Sequence, residues 1–339
     1  MKKTSIGLLA LTLVLLTASC KNKEQTDTDN QVVASDSLDI AGDSDIFFAD
    51  EVDIAEEDIP APKDNEIVLR FNPPKGVTYS TKMKTVTNIR QSMFDQSSSS
   101  LMDISTNNKI KVLENIPGKS ITLSSTVSYF KAMMKQDTIS AGFESGKPSK
   151  DPEIDMMRQI LDCYINMPID ITMDRNAEVI GIKGIEAVQG KIAEKLGNEA
   201  VTASMQMSDM NQEVVNSFVA FPPKPVANGD SWATVDSVDM GGFPTIMRNT
   251  FTLQRYDAQY AWVDVYSNFS IDKDMLRSLG GSGDEVTMTG YQKGTMKVER
   301  ESGWSMESNL EQKLNLNMEA QGQKMSISIT GTSTLTTTR

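Results

Sequence analysis

Histidine is absent from these 339 residues, and only two cysteines occur, Cys20 and Cys163. The commonest general base and metal ligand at neutral pH is therefore missing, and a disulfide scaffold is excluded. Long apolar runs are confined to the first twenty residues, which excludes a multi-span helical membrane protein. Basic excess is lacking too. Lys and Arg number 33 against 46 Asp and Glu, a formal net charge of -13, so nucleic-acid binding has no electrostatic basis. What remains is enough chain for one large domain or two ordinary ones with a real core.

The acidity is local. Residues 21–64 hold 14 acidic side chains and three lysines, whereas residues 65–339 are close to neutral. A stretch that acidic and that poor in apolar residues favours an extended tether, which anionic lipid heads would repel. The apolar triplet Ile46-Phe47-Phe48 interrupts it. It reads either as a short docking motif or as a chance cluster. Ahead of the tether, Lys2 and Lys3 precede an apolar run from Ile6 to Leu16, and Leu16-Thr17-Ala18-Ser19-Cys20 follows. This is a signal-peptide layout, too short to span a bilayer comfortably. The small residues before Cys20 resemble the lipobox of bacterial lipoproteins, with Thr17 where leucine is usual. That resemblance implies cleavage before Cys20 and lipidation of its thiol and new N-terminus. Several acyl chains together give stable anchoring, since each buried CH2 contributes about 0.8 kcal/mol. Lys21 favours the outer membrane. Lys23-Glu24 is similar in part to the surface-export signals of Bacteroidota lipoproteins, with Gln25 where a second acidic residue is expected.

From residue 67 the pattern is antiparallel β. Ile121, Leu123, Val127 and Tyr129 alternate with Thr122, Ser124, Thr126 and Ser128. Trp304, Met306, Leu310, Leu314, Leu316 and Met318 continue the pattern, as do Met325, Ile327, Ile329 and Leu335, with a turn at residues 319–323. Period-two alternation means one buried and one wet face, and strands this long must coil. Helices are expected in the middle. Asp151 caps a helix that opens on Pro152 and carries Ile154, Met157, Leu161 and Tyr164. A second carries Ile185, Val188, Ile192 and Leu196 and stops at Gly197. A third carries Met207, Met210, Val214, Phe218 and Phe221 and stops at Pro222-Pro223. The expected fold is mainly β: a large curved antiparallel sheet, a half-barrel, with central helices against its apolar face. Its segments are a signal peptide (1–19), a lipidated tether (20–64) and two β halves (65–221 and 222–339).

The halves look distantly alike. Residues 108–129 and 249–269 both run strand, polar turn, strand, and so do 172–179 and 296–304. The pattern fits either a duplication or generic hairpin likeness. Lys75-Gly76-Val77-Thr78-Tyr79 and Asn228-Gly229-Asp230-Ser231-Trp232 open the two halves. With the lipobox, they resemble an uncharacterised lipoprotein family of Bacteroidota over roughly residues 67–339. That family implies no activity and no site residues. The sheet-and-helices layout also looks like the unclosed barrel of periplasmic lipoprotein carriers, a likeness of architecture only.

Few residues point to chemistry. Met205, Met207 and Met210 match the spacing of Cu(I)-binding segments, but Met207 and Met210 fall on a helix stripe and read as core. Cys163 reads as a buried thiol without a base. Ser128-Tyr129-Phe130-Lys131 matches S-x-x-K but sits in a strand and lacks companion motifs. Gly280-Gly281-Ser282-Gly283 lacks the lysine of a phosphate loop, and Asp174 to Glu178 lacks the glycine of a calcium loop. The expectation is a non-enzymatic envelope lipoprotein without metal, cofactor or nucleic-acid partner, and Cys20 is its one modified residue. It would bind an apolar ligand such as a lipid or acyl chain between sheet and helices, or else serve as a structural or interaction protein with a filled core. Cys20→Ser should abolish labelling by an alkyne fatty acid in vivo and leave uncleaved precursor; continued acylation of that variant would refute the anchor.

Overall fold

The computed structural model describes residues 19–20, 47–48, 61–93, 96–136, 139–174, 179–197, 221–240, 243–278, 286–320 and 323–339. In chain order the first half is β1 (Glu66–Ile67), β2 (Thr78–Met93), β3 (Gln96–Ile116), β4 (Ser120–Gln136), β5 (Ile139–Glu144), α1 (Pro152–Tyr164), β6 (Pro168–Asp174), β7 (Val179–Lys183) and α2 (Ile185–Leu196). The second half is β8 (Val226–Ala227), β9 (Ser231–Asp239), β10 (Pro244–Tyr256), β11 (Tyr260–Ile271), α3 (Lys273–Ser278), β12 (Val286–Glu299), β13 (Ser305–Ala320) and β14 (Gln323–Thr338). β1 and β8 pair with each other. The rest form one open sheet in the order β9-β10-β11-β12-β13-β14-β2-β3-β4-β6-β7, with β5 on β4 and the dipeptides Ser19–Cys20 and Phe47–Phe48 on the free edge of β9. The expected large curved antiparallel sheet with few helices is thus what the chain forms.

Each half is a meander, and the two halves repeat one another in backbone detail. Gly76 N–H donates to the Val112 carbonyl (2.8 Å), and Val112 N–H donates to the Val77 carbonyl (2.9 Å). Gly229 N–H donates to the Leu253 carbonyl (2.7 Å), and Leu253 N–H to the Asp230 carbonyl (2.9 Å). Both glycines hold positive φ, 86° and 93°, a region that side-chain-bearing residues avoid. A bulge follows Val112 in the β3–β4 ladder and Leu253 in the β10–β11 ladder. A second bulge falls between Thr172 and Met173 opposite β7, and between Lys297 and Val298 opposite β13. Bulges mark fixed points of a ladder, and two matched pairs of them align the two halves. On that alignment Tyr79 corresponds to Trp232, Asn108 to Asn249, Val112 to Leu253 and Leu123 to Val263. α3, which the sequence reading did not foresee, follows β11 as α1 follows β4 and β5. It spans one and a half turns, too short for a hydrophobic period, and is started by Asp272, whose carboxylate accepts from Met275 N–H at 2.9 Å.

The core occupies one face in three clusters. Near one end of the strands Ile89, Ile104, Phe130, Phe269, Leu314 and Ile329 pack with Leu161 of α1. At the other end each repeat has its own cluster. Val112, Leu123 and Ile171 pack under Ile160, Val188 and Ile192 of α1 and α2. Leu253, Val263 and Val298 pack under Ile67, Leu69 and Val226. α1 begins as expected, with Ile154 N–H donating to Asp151 Oδ1 (3.3 Å), and α2 ends at Gly197, whose N–H reaches the Ala193 carbonyl. The expected third helix lies outside the described residues, apart from Phe221.

One face assignment is corrected. Tyr129 does not share the buried face with Ile121, Leu123 and Val127. Asn107 opposes Tyr129 and Asn108 opposes Val127, so Ser128 is an extra residue. The bulge flips parity, and Phe130, Ala132 and Met134 take the buried face instead.

The two halves also meet through Trp304, which stacks on Tyr79 with ring centroids 3.9 Å apart and planes 4° from parallel. Both residues are buried. Removing a large buried aromatic leaves a cavity and costs about 3–5 kcal/mol. Trp304→Ala should lower the unfolding free energy by that amount, while Glu301→Ala in the exposed turn nearby should leave it unchanged, as chemical denaturation would measure.

Candidate functional site

Between the cluster at one end and the two at the other, the core face carries a strip that is half-buried rather than packed. On β12 it holds Gln292 and Gly294, on β13 Ser308, Leu310 and Gln312, on β14 Gly331, Ser333 and Leu335, and on β2 Met83 and Thr85. Small residues dominate the floor. A Cβ on Gly290 or Gly294 would run into the backbone of β13, at the carbonyls of Lys313 and Asn309. Glycine there lets the strands bend closely past one another, the usual way a sheet acquires sharp curvature. Thr85 and Ser333, directly paired, share a hydroxyl hydrogen bond of 3.1 Å.

Polar groups lie toward both ends of the strip. On β2, β3 and β14, Thr87 Oγ1, Thr106 Oγ1, Asn108 Oδ1 and Thr337 Oγ1 are buried without a hydrogen-bond partner among the described residues. Buried polar atoms are normally satisfied, so four orphans on one face form an unfilled hydrogen-bonding surface. In the second repeat the counterpart of Asn108 is paired. Asn249 Nδ2 donates to Asp236 Oδ2 (2.6 Å) and Thr234 Oγ1 (3.2 Å). Burial pushes the Asp236 carboxyl above its ordinary range, and the hydrogen bonds from Thr234 and Asn249 offset part of that. A carboxyl partly withdrawn from water on a mainly apolar face can hold a proton or orient a polar group. On the opposite face, a groove of about 370 Å3 passes Gly331 between Val86, Leu101, Tyr291 and Lys313. It is open to solvent and rimmed by charge.

The residues singled out from the sequence are not gathered here. Cys20 lies in a dipeptide paired with Val238 and Asp239 of β9. Ser128 Oγ donates to the Asn107 carbonyl (3.1 Å) at the bulge. Cys163 is buried in α1, its thiol pushed up by burial and donating to the Gln159 carbonyl. Met205, Met207 and Met210 lie outside the described residues, as do Gly280–Gly283 and residues 175–178. Among the described residues no group of three or more His, Cys, Asp or Glu could hold a metal ion, and no helix is long and apolar enough to cross a membrane. The strip and Asp236 were missed because hydroxyls, amides and glycines in strands look like ordinary solvent-face residues. The one signal was Gly290 and Gly294 breaking the alternation of β12.

Residues 118–305 match the model of a family of unknown function (DUF6263). A comparison with curated proteins gives no match. Among solved structures, a chain titled for lipid-protein interactions in lipovitellin is 9% identical, with a TM-score of 0.42 over 80% of this chain and 26% of that one. This chain thus spans about a quarter of its length. The translocator domain of autotransporter NalP from Neisseria meningitidis is 6% identical, at 0.28 over 77% and 88%. DynF from Micromonospora chersina is 6% identical, at 0.22 over 86% and 93%. All three scores lie below 0.5, too low to carry a function across.

The Asp236 carboxyl makes a pH prediction. With the folded pKa raised, its contribution to stability is present below the unfolded carboxylate pKa and lost as pH rises through the folded one. Asp236→Asn should therefore melt higher than wild type at about pH 7.5, with the advantage gone near pH ~3.5, below the ordinary Asp value. A lower melting temperature at neutral pH would mean that the charged form is the one the fold prefers.

Proposed function

The chain belongs to that family of unknown function, and we propose that it is a non-enzymatic envelope lipoprotein, held to the membrane through lipid on Cys20, that binds a lipid-like ligand on the strip. The observation that carries this reading is the strip itself: a floor of Gly294, Gly331, Ser308, Ser333 and Thr85 left half-buried between packed apolar clusters. Removing side chains from the middle of a core face leaves room for another molecule. Met83, Leu310 and Leu335 would take an acyl chain, each CH2 worth about 0.8 kcal/mol when buried. The Gln292 and Gln312 amides and the Thr87 hydroxyl, which share one row across the sheet, would meet its polar end. Apolar surface with a few placed polar groups is the usual make-up of a small-molecule site. An outer-membrane location follows from Lys21 beside the lipidated cysteine. The absence of histidine and the engagement of Ser128 and Cys163 in local hydrogen bonds speak against catalysis by those groups.

A second reading, a filled core with a structural or interaction role, has its own support. Phe221 packs, with Tyr256 and Leu310, against the cluster that borders the strip, and the apolar residues Met207, Met210, Val214 and Phe218 precede it in sequence. That segment would cover the strip permanently in the filled-core reading and lift off as a lid in the ligand reading. Phe218→Ala separates the two. As a permanent cover it should cost about 3–5 kcal/mol and leave binding of a fluorescent fatty acid undetectable in both proteins. As a lid it should melt within a few degrees of wild type and change probe affinity about tenfold or more. Thermal melts with and without the probe make the measurement.

A further inference from the structure

The alignment of the two halves makes the free edge of β9 informative. β9 corresponds to β2, since Trp232 aligns with Tyr79 and Ala233 with Ser80. Within the chain β14 pairs along the matching edge of β2 from Ser80 to Met93, with Thr338 at Ser80. Among the described residues the outer edge of β9 meets no long strand, and Ser19–Cys20 pairs with its far end at Asp239 and Val238. On that edge the backbone of Phe47–Phe48 pairs parallel with Trp232 and Ala233, so Phe48 takes the place at Ala233 that Thr338 takes at Ser80. Phe47 and Phe48 belong to the apolar triplet that breaks the acidic segment.

We infer that Phe47–Phe48 is a latch, a short added strand docked on the open edge of β9. The physical need is evident. An unpaired edge presents free N–H and C=O groups to other chains, and proteins cover or charge such edges. β9 carries the exposed Val235 and has no lysine or proline to blunt it. Strand addition supplies main-chain hydrogen bonds, and apolar side chains give it selectivity.

Hydrogen–deuterium exchange on the full chain tests the latch without involving the lipid, so its failure is separable from failure of the anchor. Phe47→Glu with Phe48→Glu should speed exchange at Trp232 and Ala233 at least tenfold and leave β2 unchanged. Asp50→Asn with Glu51→Gln should leave both unchanged. Unaltered β9 exchange in the first variant would overturn the proposal. Equal acceleration in the second would also overturn it, by making charge the cause. Protection of β9 in the first variant that rises with protein concentration would assign the edge to a second copy instead. Should the glutamates unfold the body, visible as faster exchange in β2, Phe47→Ser with Phe48→Ser supplies the same readout.

Discussion

The seam between β14 and β2 is the contact on which the rest depends. It runs from Met325 opposite Met93 to Thr338 opposite Ser80 and joins the last strand of the chain to the first long one. Without it the two repeats would be separate sheets, each with two open edges and half a core. With it they share the cluster of Ile89, Leu314 and Ile329, and the seam strands form part of the strip floor. Its residues suit the task. Thr330, Thr332, Thr334 and Thr336 line the exposed face of β14, where β-branched side chains favour the pleated backbone. Pairing positions so distant in sequence carries a large loop-closure cost before any contact repays it. Trp304 on Tyr79 adds a second bond between the halves at the far end of the same strands.

The repeats have diverged where they are covered. The first lays α1 and α2 over Val112, Leu123 and Ile171. The second covers the equivalent Leu253, Val263 and Met296 with the short segment at Ile67 and Leu69 and with Val226. The polar pair has diverged as well. Asn249 has Asp236 and Thr234 to bond, while Asn108 has Met83 in the position of Asp236 and is left with an unpaired oxygen. One copy is thus satisfied internally and the other is not.

Curvature and openness follow from glycine rather than from the hydrophobic pattern. Gly290, Gly294 and Gly331 sit in strands that alternate cleanly elsewhere, and each brings a neighbouring backbone within reach of its missing Cβ. The bend they permit removes bulk from the middle of the core face.

The sequence by itself determined the β class, the long strands, the two helices with their caps and the likeness of the two openings. These are local matters: period-two alternation, Asp151 before Pro152, Gly197 after Leu196, and glycines at positive φ before Tyr79 and Trp232. Tertiary structure alone decided the face of Tyr129, because one bulge at Ser128 reverses parity for the rest of the strand. It alone decided that β14 closes on β2, since strand pairing over that separation leaves no local mark. It alone brought Gly294, Leu310, Ser333 and Thr85 into one row across four strands. In sequence these are unremarkable strand residues, and they acquire meaning only when cross-strand register sets them side by side on a face that the clusters at either end leave open.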